Sequence, residues 1–368
     1  MSYESVSRCV YSLRKLLNVD GIDYIDTVHK RGYRMGVAVK EFEPLQSKTA
    51  LSQAIATIPL AYSHYAAGMR EANDPRPAAQ ERAILLFEDA AKADPDFAAA
   101  YAAVAETRMY QIIRGDLTPA EGLKFGLLAS QRALDASPQS VQGMSIMGWF
   151  KGAMLGKFDE AHMFLEAALA IDPAYSRGYV YQSWVFRRQG LIEESLVAAQ
   201  RGMATDPHAL LNRHSYSWML FCSGNAAEAL KLEQDLQSEY PLDEIAHAFT
   251  GIFAAYLGKS REALAASEAA LELSPGRPGV WASVAYILAR TGHTERARQL
   301  ADSAGEAILP RATKPLLAPA YTEMGDVDRA LELLCEARDE GCVWFAPARM
   351  DPRLAALKMD DRFLALYS

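Results

Sequence analysis

Residues 190–224, GLIEESLVAAQRGMATDPHALLNRHSYSWMLFCSG, run from one glycine to the next over a single period of this chain. Glycines stand at 156, 190, 224, 258, 292 and 325, a spacing of 34 residues four times and then 33. A small residue follows each glycine by five positions: Ala161, Ser195, Ala229, Ala263, Ala297 and Ala330. Prolines keep the same step at Pro138, Pro173, Pro207, Pro241, Pro275 and Pro310. Three marker classes in one register describe a repeated helix–turn–helix. Glycine suits the turn because it adopts positive φ without a Cβ penalty. The small residue lets the second helix approach the first, and proline ends one unit and opens the next.

A period of this length resembles the tetratricopeptide (TPR) repeat. Upstream the register loosens. Pro95 and Pro138 are further apart than one period, with the surplus in the loop Arg114–Pro119. An earlier unit is read as one helix near Pro59–Glu71 and another near Ala78–Ala93. The expected fold is therefore all-α, a TPR superhelix of about eight helix–turn–helix units over residues 59–342. Residues 343–368 lose the period and read as a segment covering the last hydrophobic face.

Composition narrows the function classes. The chain has 368 residues, is 50% hydrophobic and carries a net charge of −8. It holds no run of about 18 apolar residues, so no membrane partner is expected. Its N-terminus does not read as a secretory signal. None of Cys9, Cys222, Cys335 and Cys342 forms a C-x2-C pair, and reduced thiols in a cytoplasmic protein are the expectation. No phosphate loop, dinucleotide fingerprint, zinc-protease or serine-hydrolase motif is present. The histidines lack metal-ligand spacing. The expectation is no enzyme, no metal and no cofactor.

In TPR arrays the first helices of the units line the concave face. Phe150, Trp184, Trp218, Ile252 and Tyr286 fall at one repeat position, flanked by Arg187, Arg188, His214 and Arg290. Aromatic and arginine side chains anchor binding interfaces. They predict a groove for a protein or peptide partner or a small hydrophobic ligand, the other reading being rings packed between helices.

The first forty residues differ from the body. They carry seven Lys/Arg against four acids, a basic head on an acidic chain. Val6, Val10, Leu13 and Leu17 make one apolar helical stripe, with basic and polar groups on the other faces. Tyr24–Val28 and Tyr33–Val37 read as strands around a His29–Gly32 tip. The pattern Leu13-Arg-Lys15, then Thr27-Val and Gly32-Tyr-Arg34, resembles the C-terminal half of the OmpR/PhoB-type winged-helix domain of transcriptional regulators. Combined with a TPR array it is similar to the HilA-like arrangement. The resemblance implies a partial winged helix over residues 1–40, a recognition helix plus a β-hairpin wing, and a linker over 41–58. It implies DNA contact by Ser7, Arg8, Tyr11, Ser12, Arg14 and Lys15 on the helix. On the wing it implies contact by Thr27, His29, Lys30 and Arg31, with Gly32 permitting the tip. The family pattern begins upstream of Met1, so DNA binding is expected to be weak or lost. The rival expectation is a TPR adaptor that never touches DNA.

Overall fold

The computed structural model describes residues 25–28, 32–35, 48–74, 76–306 and 314–367, which fall in two compact units, Met1–Ala56 and Thr57–Ser368. In the first unit, strands β1 (Ile25–Val28) and β2 (Gly32–Met35) form an antiparallel hairpin pairing Ile25 with Met35 and Val28 with Gly32. Gly32 therefore opens the return strand, and Thr27 lies opposite Tyr33. Ser7, Arg8, Tyr11, Ser12, Arg14, Lys15, His29, Lys30 and Arg31 lie outside the described residues. A two-stranded hairpin is a generic and marginal element, and it does not make a winged helix.

The repeat body is built from helical hairpins. Their first helices are α1 (Lys48–Ala72), α3 (Ala98–Arg114), α5 (Val141–Trp149), α7 (Ser176–Gln189), α9 (Leu210–Cys222), α11 (Glu244–Tyr256), α13 (Pro278–Arg290) and α15 (Lys314–Glu323). Their second helices are α2 (Pro77–Ala93), α4 (Pro119–Ala136), α6 (Phe158–Ile171), α8 (Ile192–Thr205), α10 (Ala226–Glu239), α12 (Ser260–Leu273), α14 (Thr294–Glu306) and α16 (Val327–Asp339). Helix α1 begins at Lys48, inside the stretch read as a linker, and runs through Pro59. The sequence there is rich in helix formers, which outweighs one hydrogen bond lost at the proline.

The repeat markers act as their chemistry requires. All six turn glycines have positive φ, from +65° at Gly156 to +92° at Gly224. After Gly190 the chain closes with Leu191 N–H donating to Phe186 O at 3.0 Å, a Schellman-type end, and Asn225 to Leu220, Lys259 to Ala254 and His293 to Leu288 repeat it. The third hairpin departs from this. A π-turn over Phe150–Met154 follows α5, and Lys157 N–H reaches back to Lys151 O. The six small residues have no exposed surface at all. A larger side chain at any of them would force the paired helices apart.

After α16 the chain passes through a short helix α17 (Phe345–Ala348), a 3-10 helix (Pro352–Met359) and α18 (Asp361–Leu366). Leu354, Leu357 and Phe363 are buried in the core shared with α13, α15 and α16.

Gly190 and Gly224 separate two costs. A Cβ on Gly224 meets nothing within 4 Å, whereas one on Gly190 would collide with the Arg349 guanidinium. Gly224→Ala should lose only the left-handed backbone penalty, about 1–2 kcal/mol. Gly190→Ala should lose measurably more in urea unfolding, because Arg349 must also give up its hydrogen bonds. Equal losses would contradict the close approach.

Candidate functional site

The segment Cys342–Asp351 connects the last repeat helix to the terminal cap, and it does so across the inside of the array. Trp344 Nε1–H donates to Ile113 O at 2.9 Å, at the end of α3. Arg187, in the last turn of α7, lies over the Trp344 ring with its guanidinium carbon 5.1 Å from the centroid. Arg349 Nη2–H donates to Arg188 O at 3.3 Å and also to Gln189 O. Further along, the Arg353 guanidinium sits 5.2 Å from the Trp218 ring centroid of α9 and 5.1 Å from that of Tyr286 in α13. One short segment thus touches the first helices of four different hairpins. Those helices must face a common axis, which identifies them as the concave wall, and residues 342–353 form a strap along it.

Arg353 is the strap's anchor. Its side chain is 3% exposed, and its charge is met by Asp351 at 2.6 Å. The geometry is local: Asp351 caps the backbone N–H of Arg353 at 2.9 Å and receives the guanidinium in a forked contact. The same Asp-x-Arg staple occurs at Asp74 with Arg76 and at Asp360 with Arg362, where it is exposed. Only at 351–353 is the staple enclosed, with aromatic faces on both sides. A desolvated guanidinium over an indole and a phenol gains cation–π attraction that an exposed one does not. Burial also acts on the neighbouring thiol, raising Cys222 to about 12, with the Asp351 carboxylate adding to it.

The residues expected to line a groove divide. Phe150, Ile252 and Tyr286 are fully buried and pack between hairpins. The Phe150 ring occupies the space that a side chain on Gly126 would fill. Trp184 is half-buried and donates from Nε1 to Ser215 Oγ on the next hairpin at 3.0 Å. Trp218 packs in tilted ring contacts with Phe221, Phe249 and Phe253. Arg187 and Arg188 meet the strap, and Arg290 pairs with Glu323 at 2.9 Å. The aromatic stripe is therefore not an open channel. Its rings pack between helices or underlie the strap.

His214 is a structural cross-link. Nδ1–H is shared between the two Glu233 oxygens at 3.1 Å each, and Nε2–H donates to Asp243 Oδ2 at 3.1 Å. Burial pulls its pKa down, but the hydrogen bonds and charges of Asp243 and Glu233 outweigh this and hold it at about 9. The imidazolium ties α9 to α10 and to the start of α11. Among the described residues no group of His, Cys, Asp and Glu is placed to hold a metal ion, and no described helix is long and apolar enough to cross a membrane.

Part of the concave wall stays open. A cavity of about 150 Å³ is lined by first-helix residues of the opening hairpins, among them Tyr65, Glu106 and Tyr181, and by Tyr175 and Arg177 at the start of α7. Arg177 Nη1 donates to both Glu106 oxygens at 2.8 and 2.7 Å, and Tyr181 donates its hydroxyl to Oε1. Arg177 is part-exposed and lines the cavity while it is paired with Glu106. The expected stripe, drawn from one repeat position, missed this site. Its residues come from different repeat positions and share no register.

No family model and no curated protein match this chain. Solved structures do. A monomeric IFIT1 mutant in complex with Gppp-AAAA is similar with a TM-score of 0.53 at 16% identity, over 71% of this chain and 67% of that one. The Cut9–Hcn1 hetero-tetramer of APC/C is similar with a TM-score of 0.52 at 14% identity, over 74% of this chain and 52% of that one. A tetratricopeptide repeat protein from Parabacteroides merdae aligns over 74% of this chain and 99% of its own at 16% identity, with a TM-score of 0.47. These are likenesses of fold, and the structural neighbours are TPR-repeat proteins. They overturn the OmpR/PhoB-type and HilA-like identification. What resembled a wing is, among the described residues, a two-stranded hairpin alone, and the DNA-contact roles assigned through that resemblance lose their support with it.

Two measurements follow from the strap and the cross-link. Arg353→Ala strands the Asp351 carboxylate in a buried site and should cost about 3–5 kcal/mol, whereas replacing the pair together by Asp351→Leu and Arg353→Met should cost far less. Equal losses for the single and double variants would show that the pair is not enclosed. For His214, the folded pKa of about 9 exceeds the unfolded 6.5. Its stabilisation is therefore complete below pH 6.5 and is lost as pH rises through 9. Thermal melts should fall over that window in the native chain, and the fall should be smaller in His214→Gln.

Proposed function

We propose that this chain is a non-enzymatic TPR-like adaptor that holds an extended polypeptide segment on its concave face. The observation that carries this reading is the strap. The groove accommodates a polypeptide of its own sequence, reading it through a tryptophan hydrogen bond, carbonyl contacts to Arg349 and a cation–π clamp on Arg353. The partner enters at the open cavity bounded by Tyr65, Glu106, Tyr175 and Arg177. Tyrosine faces and a partly exposed guanidinium are groups that contribute disproportionately at interfaces. Glu106, Glu233, Asp243, Glu323 and His214 serve as ion pairs between helices, which supports a scaffold role for them.

Panning short random peptides against the full chain tests the proposal. Enriched peptides should bind at least about tenfold more weakly to Tyr175→Ala and to Arg177→Gln. They should bind unchanged to Glu228→Ala on the opposite helix layer, where Glu228 is exposed. Enriched peptides that ignore both cavity substitutions would overturn the placement of the partner, and no enrichment would overturn the adaptor reading.

A further inference from the structure

The cavity at the opening end of the groove is built on one helix face. Ala99, Ala102, Ala103 and Glu106 stand at i, i+3, i+4 and i+7 of α3, which places them side by side. The alanines give the cavity a floor without bulk, and Glu106 follows them by one turn. The walls are aromatic. Tyr65 comes from α1, Tyr175 from the residue before α7 and Tyr181 from within α7. Neighbouring rings hold them in place: Tyr65 packs on Phe87 and Phe97 with centroids 5.6 and 5.1 Å away, and Tyr181 packs on Trp184 at 5.9 Å. Walls fixed in advance cost little to order when a ligand enters.

Size and charge select the occupant. The cavity measures about 150 Å³, the size of an apolar void that admits one benzene ring. Tyrosines beside a carboxylate would suit a cation. The chain supplies that cation itself: Arg177 donates to both Glu106 oxygens, and Tyr181 donates to the same carboxylate. The pair carries no net charge, so a charged side chain entering beside it would leave water without gaining a counter-charge. Burial, with the Glu106 charge adding to it, holds the phenols of Tyr65, Tyr175 and Tyr181 above their ordinary range, so the walls stay neutral. A neutral ring gains twice, by burying its apolar area and by meeting other rings.

We propose that the cavity takes one uncharged aromatic side chain, a phenylalanine or tyrosine, from the polypeptide partner. The inference rests on the adaptor reading for its partner and adds what that partner must carry at this place. The ring lies on the alanine floor among the tyrosines, and the Glu106–Arg177 pair stays intact beside it. An aliphatic side chain of similar bulk fills the same space without the ring contacts.

Methyl NMR of the full chain, labelled at its alanines, tests this with blocked amino-acid amides as probes. N-acetyl-phenylalanine amide should bind saturably and move the methyl signals of Ala99, Ala102 and Ala103 by its ring current. It should bind at least about threefold more tightly than N-acetyl-leucine amide, and at least about tenfold more tightly than the N-acetyl amides of lysine and glutamate. Ala99→Leu adds bulk to the floor and should weaken it by at least about tenfold. Met163→Ala, at an exposed site on α6, should leave it unchanged. Equal binding of the leucine amide, tighter binding of the lysine or glutamate amide, or no saturable shift overturns the proposal, as does phenylalanine binding that Ala99→Leu leaves intact. Adenosine binding more tightly than the phenylalanine amide also overturns it and assigns the cavity to a nucleobase. Should Ala99→Leu fail to fold, Tyr175→Ala carries the same test. The two readings fail separately. Panned peptides that need Tyr175 but carry no aromatic residue refute the ring and leave the adaptor, whereas ring binding without peptide enrichment refutes the adaptor and leaves the ring pocket.

Discussion

The concave face depends on one buried cation. Arg353 lies between Trp218 and Tyr286 with only Asp351 to balance it. Taking a guanidinium out of water costs several kcal/mol, and the pair is tolerated because its counterion is local, two residues away, and meets it in a forked contact. Asp351 caps the turn that presents Arg353, so the counterion arrives with the cation. Everything the strap does elsewhere follows from that anchor. Trp344 is delivered to α3, Arg349 to the end of α7, and the rings of α9 and α13 are covered. Stacked repeats contact chiefly their neighbours, and the strap adds a link between hairpins as far apart in the stack as those of α3 and α13.

This arrangement changes what the aromatic stripe means. The rings recur because each hairpin needs bulk at the same place in its first helix, and most of that bulk is spent between hairpins. The surface left for a partner is the opening end of the groove, where Ala99, Ala102 and Ala103 make room and tyrosines surround the Glu106–Arg177 pair. Arginines also meet the strap at the end of α7. They are held by packing and helix-end carbonyls rather than by acids, unlike Arg177, Arg213, Arg290 and Arg298, each of which pairs with a carboxylate.

The repeat body was legible in the sequence because its determinants are local. A glycine at positive φ and an alanine or serine with no exposed surface recur at fixed offsets, and each acts within its own hairpin. The strap was not legible. Val343–Asp351 has no period, and its partners are 231 positions away for Trp344 and 161 for Arg349. The Asp-x-Arg staple could have been noticed, since Asp74-Pro-Arg76 and Asp360-Asp-Arg362 share it, but nothing local distinguishes the buried copy from the exposed ones. The winged-helix reading failed for the opposite reason. A basic stripe and a glycine-bearing hairpin are strong local signals that many folds produce, and the decisive contacts of a winged helix are long-range.

Amide hydrogen exchange over Cys342–Arg353 in the full chain tests the central claim that the concave face is a polypeptide-holding surface. The account predicts protection of Leu354 and of the strap amides that donate to Cys342, Trp344, Pro347 and Ala348. That protection should match α9 and α13 and be lost together in Arg353→Ala while the outer helices stay protected. Strap amides that exchange as fast as a free chain in the native protein would contradict it.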